Sequence, residues 1–248
     1  MALRVLVALT VVGTIVMNVL ANALPLFGRG TGEVSALYPT LVTPAGYVFA
    51  IWGLIYLGLL AYSAAQFVRP LADDPLPDRL AWPLLVSNLA NVSWLLLWHS
   101  LNIYWTVPVM LVLLASLIAA YLVARRDRPD RPSGLERWAV RAPLGLYLGW
   151  ISIATIANVS SALYATKWSG WGIPPERWGA IVLVVGAALA FAGLAREGDS
   201  VFAGVFVWAF AGIAGATPSE LVRIAAAALA GSIAVGIVLS AVARRRLV

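Results

Sequence analysis

Apolar residues run along this chain in eight stretches, approximately 4–25, 44–68, 80–99, 103–124, 140–165, 177–195, 200–215 and 219–243, separated by short segments rich in Pro, Gly, Arg and Asp. About 20 such residues cross a roughly 30 Å hydrocarbon core as a helix. The pattern therefore predicts an all-α fold, a polytopic transmembrane bundle of eight helices. Pro44, Pro83, Pro108 and Pro143 fall in predicted first turns, where spare N–H groups make proline tolerable. Thr217-Pro218-Ser219-Glu220 predicts the start of the last helix, with Thr217 as cap and Pro218 at the first helical position.

Composition agrees: with 62% hydrophobic and 11% charged residues and a mean hydropathy of +0.90, the chain is not an ordinary soluble domain. Its net charge of +6 does not point to nucleic acid, because the basic residues follow alternate loops instead of one soluble face. With the N-terminus inside, the cytoplasmic segments hold 13 of the 17 Lys and Arg, among them Arg4, Arg69, Arg79, Arg125, Arg126, Arg128, Arg131, Arg137 and Arg141. Arg29, Lys167, Arg177 and Arg223 remain outside. The asymmetry predicts a multi-pass protein of a bacterial inner (plasma) membrane with both termini cytoplasmic. Arg4 with the small triplet Ala21-Asn22-Ala23 also resembles a cleavable signal peptide. The run is longer than the 7–15 residues of a signal core, so a retained first helix is expected. There is no cysteine, which excludes disulfides and thiolate chemistry.

Several functions lack their chemistry. No Asp, Glu, Lys or His lies in the middle of a predicted span, whereas ion-coupled pumps need such groups along their path. The only lysine, Lys167, sits in a loop, which excludes a retinal Schiff base on a helix. The only histidine, His99, excludes bis-His haem ligation and a two-His zinc site; at the end of the third span it reads as an interfacial residue. No catalytic set or metal site is expected, and no cofactor is required.

What the spans do carry is aromatic and amidic. At about 100° per residue, Tyr147, Trp150, Ala154, Asn158 and Ser161 share an arc of roughly 80° on the fifth helix. Asn91, Trp94 and Trp98 share one face of the third, with Asn88 at its edge, and Phe49, Trp52, Tyr56 and Ser63 cluster on the second. An amide in lipid needs partners, so these faces turn toward one another or toward a cavity. Two readings stay open: amides that bind helices together while the rings fill space, and an aromatic cavity with a few polar groups for a large, flat, mostly apolar ligand. The last three spans carry almost no polar side chains, and Trp208 there has no evident polar companion. Ser232, Gly236 and Ser240 form a small-residue stripe suited to close packing within the chain or to a homodimer contact.

Pro44 to Tyr56 (PAGYVFAIWGLIY), the N-x-x-W of Asn91 to Trp94, and the Y-L-x-W-x-x-x-A-x-x-x-N of Tyr147 to Asn158 together resemble the TspO/MBR family, the tryptophan-rich sensory or translocator proteins. Tyr47 stands where that family usually has its first Trp. The resemblance divides the chain into a TspO-like five-helix membrane core, 1–166, and three additional transmembrane helices, 167–248. It implies binding, sensing or transport of a hydrophobic planar ligand, foremost a tetrapyrrole such as protoporphyrin IX, with haem as another candidate. Residues 27–43 would form a lid over the pocket, and Arg29 or Arg69 would meet ligand carboxylates. With the stripes, it gives the candidate ligand-binding residues Tyr47, Phe49, Trp52, Tyr56, Asn91, Trp94, Trp98, Tyr147, Trp150 and Asn158. The expected partners are a hydrophobic small molecule and the lipid bilayer, with no nucleic acid. Degradation of porphyrin in light and transport of another lipid-like metabolite stand as alternatives to binding.

Overall fold

The computed structural model describes residues 1–24, 26–126 and 132–246, and these form helices with no strand among them. Arg128 and Arg131 of the basic loop lie outside the described residues. Two compact units are formed, one from Met1–Leu37 with Ile51–Ile151, the other from Tyr38–Ala50 with the chain from Ser152 on.

In the first unit, α1 (Ala2–Ala23) leads through a bend into the short α2 (Thr31–Ala36). The Glu33 carboxylate reaches back to the Gly30 N–H at 2.8 Å, satisfying one of the donors that every helix start leaves open. Then come α3 (Ile51–Ala65), α4 (Leu76–His99), α5 (Ile103–Val123), the single turn α6 (Gly134–Glu136) and the first part of α7 (Ala142–Ala165). α4 packs against α1 and α5, and α1 also meets α3. α1 buries Arg4, Val7, Val11, Thr14, Asn18 and Ala21, an alternation of three and four residues that makes one helical stripe, while Val5, Leu9, Val12 and Val16 face outward.

The second unit holds the turn Gly46–Ala50, the rest of α7, and α8 (Pro175–Glu197), α9 (Ser200–Ala216) and α10 (Glu220–Arg246), the last three packed on one another. The α8–α9 joint follows from Gly198-Asp199. Gly198 takes φ 58°, which glycine adopts without a Cβ penalty, and Asp199 Oδ1 accepts from Val201 and Phe202 N–H at 3.0 Å each. Glycines let bulky neighbours in: a Cβ on Gly186 would stand 3.0 Å from the Phe210 ring, and one on Gly236 2.9 Å from that of Phe191. Gly236 of the small-residue stripe thus packs on α8 within the chain, while Ser232 is exposed.

Among the described residues, seven helices are long and apolar enough to span a membrane by length and composition; the eighth expected span, α9, has 17 residues. At 1.5 Å per residue it measures about 25 Å, at the short end of the roughly 17–25 residues with which helices cross a bilayer. Helix starts also differ from expectation. α4 begins at Leu76 and α5 at Ile103, so Pro83 and Pro108 lie inside their helices, beyond the first turn. Leu76 and Pro77 are buried, and that early burial extends α4 four residues ahead of the apolar run. A wider π-turn at Arg137–Arg141 precedes Pro143, whose missing N–H and ring would crowd a regular turn. α10 starts at Glu220, two residues later than expected. Its cap is Ser219, whose hydroxyl accepts from the Val222 N–H at 3.4 Å, and Pro218 lies before the helix.

Candidate ligand site

α3 and α7 approach closely because Gly58 has no side chain: a Cβ there would stand 2.9 Å from Pro143 Cβ. The approach brings four of the expected rings together in the first unit. Trp52 lies over Tyr56 at 5.6 Å between centroids and 26° between planes, and meets Tyr147 at 5.9 Å and Trp150 at 6.2 Å edge-on. These are the offset and T-shaped arrangements that ring quadrupoles favour. Trp52 and Tyr56 are half-buried, whereas Tyr147 and Trp150 are buried.

On α4, Trp94 and Trp98 stack at 5.3 Å and 19°. The Trp98 indole N–H donates to the Thr31 carbonyl at 3.2 Å, which ties the start of α2 to the end of α4. His99 reinforces the tie. It is 0% exposed, its Nδ1 lies 2.8 Å from the Leu95 carbonyl and its Nε2 3.3 Å from the Thr31 hydroxyl. A carbonyl only accepts, so Nδ1 carries a proton there. His99, the last residue of α4, is a buried anchor for α2. The Trp94 Nε1 is buried with no hydrogen-bond partner among the described residues.

Asn91 is 1% exposed, and its amide bonds to other helices through both its oxygen and its nitrogen. Its Oδ1 accepts from Asn18 Nδ2 of α1 at 2.8 Å, and its Nδ2 donates to the Tyr147 hydroxyl of α7 at 3.0 Å. Asn88 Nδ2 donates to the Thr10 hydroxyl at 3.0 Å, and the Thr14 hydroxyl to the Asn88 carbonyl at 3.4 Å. Interhelical binding by amides is therefore present, and it sits against the aromatic cluster, because Tyr147 belongs to both. Thr10, Thr14 and Asn18 were not singled out from sequence. Their spacing of four residues, continued by Asn22, which donates to the Asn18 carbonyl at 2.9 Å, is the signal that could have found them.

The other three expected residues belong to the second unit. Tyr47 is 57% exposed and packs edge-on to Trp208 at 5.4 Å. Phe49 is half-buried, and Asn158 is buried on the later part of α7. Trp208 does have a polar companion, since its indole N–H donates to the Val48 carbonyl at 3.0 Å. That bond was invisible in sequence because its acceptor is backbone 160 residues away. Trp168, Trp171 and Trp178 form a second ring cluster in the α7–α8 loop, at 5.2 to 5.9 Å. Arg69 pairs with Asp73 at 3.0 Å, both exposed. No group of three or more His, Cys, Asp or Glu that could hold a metal ion occurs among the described residues.

A family model described as TSPO-like protein matches residues 4–239. The match runs into the last span, beyond the 1–166 that the resemblance assigned to the TspO-like core. No curated protein and no solved structure matches the chain.

Proposed function

The chain belongs to the TSPO-like protein family and is an integral membrane protein, and from that premise we propose that it binds a hydrophobic planar ligand, foremost a tetrapyrrole such as protoporphyrin IX, on the aromatic cluster of its first unit. The observation that carries the proposal is Trp52, which meets three other rings at 5.6 to 6.2 Å while remaining half-buried. A flat π-system offered to such a face gains dispersion and quadrupole contact over a large area. The ring walls supply little polarity, so selection by shape and apolar area suits a ligand that arrives from the bilayer.

The physiological setting we infer is a bacterial inner membrane with both termini in the cytoplasm, on the asymmetry of basic residues between alternate loops. Binding that senses or moves the ligand requires no cofactor.

The test is a titration of protoporphyrin IX into purified protein in detergent, read by the porphyrin absorbance band. Wild type is expected to bind saturably at micromolar concentration, and Trp52→Ala to weaken binding at least tenfold. Saturable binding unaffected by Trp52→Ala would move the site elsewhere. A linear, non-saturating response from wild type would overturn the tetrapyrrole proposal.

A further inference from the structure

Three buried side chains from three helices form a hydrogen-bond chain that runs in one direction. Asn18 Nδ2 donates to the Thr14 carbonyl at 2.9 Å as well as to Asn91 Oδ1 at 2.8 Å. Because the Thr14 oxygen is a carbonyl and only accepts, the Asn18 amide is fixed with its nitrogen on that side. Asn91 must then present its oxygen to Asn18, which leaves its Nδ2 for Tyr147 at 3.0 Å. The Tyr147 hydroxyl therefore accepts, and its own proton has no acceptor among the described residues. Tyr147 is 1% exposed, so water does not readily supply one. Its ring lies 5.9 Å from that of Trp52, within the aromatic cluster. One turn beyond Asn91 on α4, the Trp94 indole N–H is a second buried donor with no partner among the described residues.

The direction of the chain decides what can complete it. A hydrocarbon leaves the Tyr147 proton unpaired, and a group that only donates meets it with the same sign; an acceptor satisfies it. We propose that the Tyr147 hydroxyl is the donor that fixes the polar edge of the ligand, which belongs to the class of flat, largely apolar molecules bearing a carbonyl or carboxylate. Asn18 is a positioning residue: it touches no ligand, but holds Asn91 so that Tyr147 must donate outward. Without Asn18, the Asn91 amide can turn over, accept the Tyr147 proton itself and close the chain internally. The proposal rests on the aromatic cluster being a ligand site.

The test compares two planar probes that differ in one acceptor, fluorenone and fluorene. Each is bound to protein in nanodiscs, with empty nanodiscs as the partition control. Wild type is expected to bind fluorenone at least tenfold more tightly than fluorene. Tyr147→Phe should bring the ratio to about one, and Asn18→Leu should lower the ratio at least threefold. A purely structural loss would weaken both probes together and leave the ratio where it was. Equal, saturable binding of both probes by wild type would overturn the donor role while leaving the aromatic site standing; saturable binding of neither would overturn both. A ratio that survives Tyr147→Phe removes Tyr147 as the donor. One that survives Asn18→Leu alone removes the positioning role of Asn18.

Discussion

Arg4, in the first turn of α1, is buried and spends its guanidinium on the polypeptide. It reaches Asp78 at 3.0 and 2.6 Å through Nε and Nη2, and the backbone carbonyls of Gln66, Leu71, Ala72 and Asp74 at 2.8 to 3.4 Å. Gln66 Nε2 returns a bond to the Arg4 carbonyl at 3.1 Å. The charge that sequence assigns to topology thus also holds the α3–α4 connection. Only a planar five-donor head serves that many acceptors, so lysine cannot replace it. Removing the head strands carbonyls and one side of an ion pair, and Arg4→Ala is expected to cost about 3 kcal/mol. In a protein of this size that lowers the apparent unfolding temperature by roughly 6–12 °C. Arg4→Lys should recover less than half of the loss in tryptophan-monitored thermal unfolding, and full recovery would show that charge alone matters. At this scale the chemistry of each residue was legible in sequence but its partner was not. Asn91 was read as buried and in need of a partner, which it is; that the partner is Asn18 depends on how α1 is rotated against α4.

Periodicity carried further at the scale of elements. The arcs drawn on α3 and α4 correspond to rings that stack, Trp52 with Tyr56 and Trp94 with Trp98, and the arc on α7 to rings that meet Trp52 edge-on, Tyr147 and Trp150. A helix face is a local property fixed by 100° per residue. Helix ends were less legible, because α4 starts where burial by neighbours begins and not where the apolar run does. The spacing between helices was not legible at all, and Gly58 against Pro143 shows why: an unremarked glycine sets it. Gly58→Val inserts atoms into a gap already closed to a Cβ at 2.9 Å, and overpacking of this kind costs about 1–3 kcal/mol. We expect it to lower stability by that amount and to shrink the near-ultraviolet circular dichroism of the Trp52 cluster as α3 moves off α7. Gly53→Ala, on the same helix with nothing within 4 Å of the added Cβ, should leave the spectrum unchanged. Equal spectra for both variants would show that the α3–α7 approach does not set the ring geometry.

Over the whole molecule, the family match from 4 to 239 makes the last three helices part of the family's pattern, although the recognisable motifs end at Asn158. Helices that serve by packing carry no chemistry to recognise: in α8 to α10 the telling positions are glycines beneath Phe191, Phe202 and Phe210. Orientation in the membrane is likewise a property of the entire chain, since it comes from the sum of loop charges. Lys167 gives it a direct test. It is the only lysine, it is exposed, and it lies in the α7–α8 loop on the side opposite to both termini if those are cytoplasmic. A membrane-impermeant amine reagent added to cells whose inner membrane is exposed but sealed should therefore label the protein once, at Lys167. Lys167→Arg should abolish that label, and lysis should add the N-terminal amine as a second site where that amine is free. Labelling of Lys167 only after lysis would invert the topology. It would also put the face of Arg125, Arg126 and Arg137 outside, against the charge rule from which the orientation was drawn.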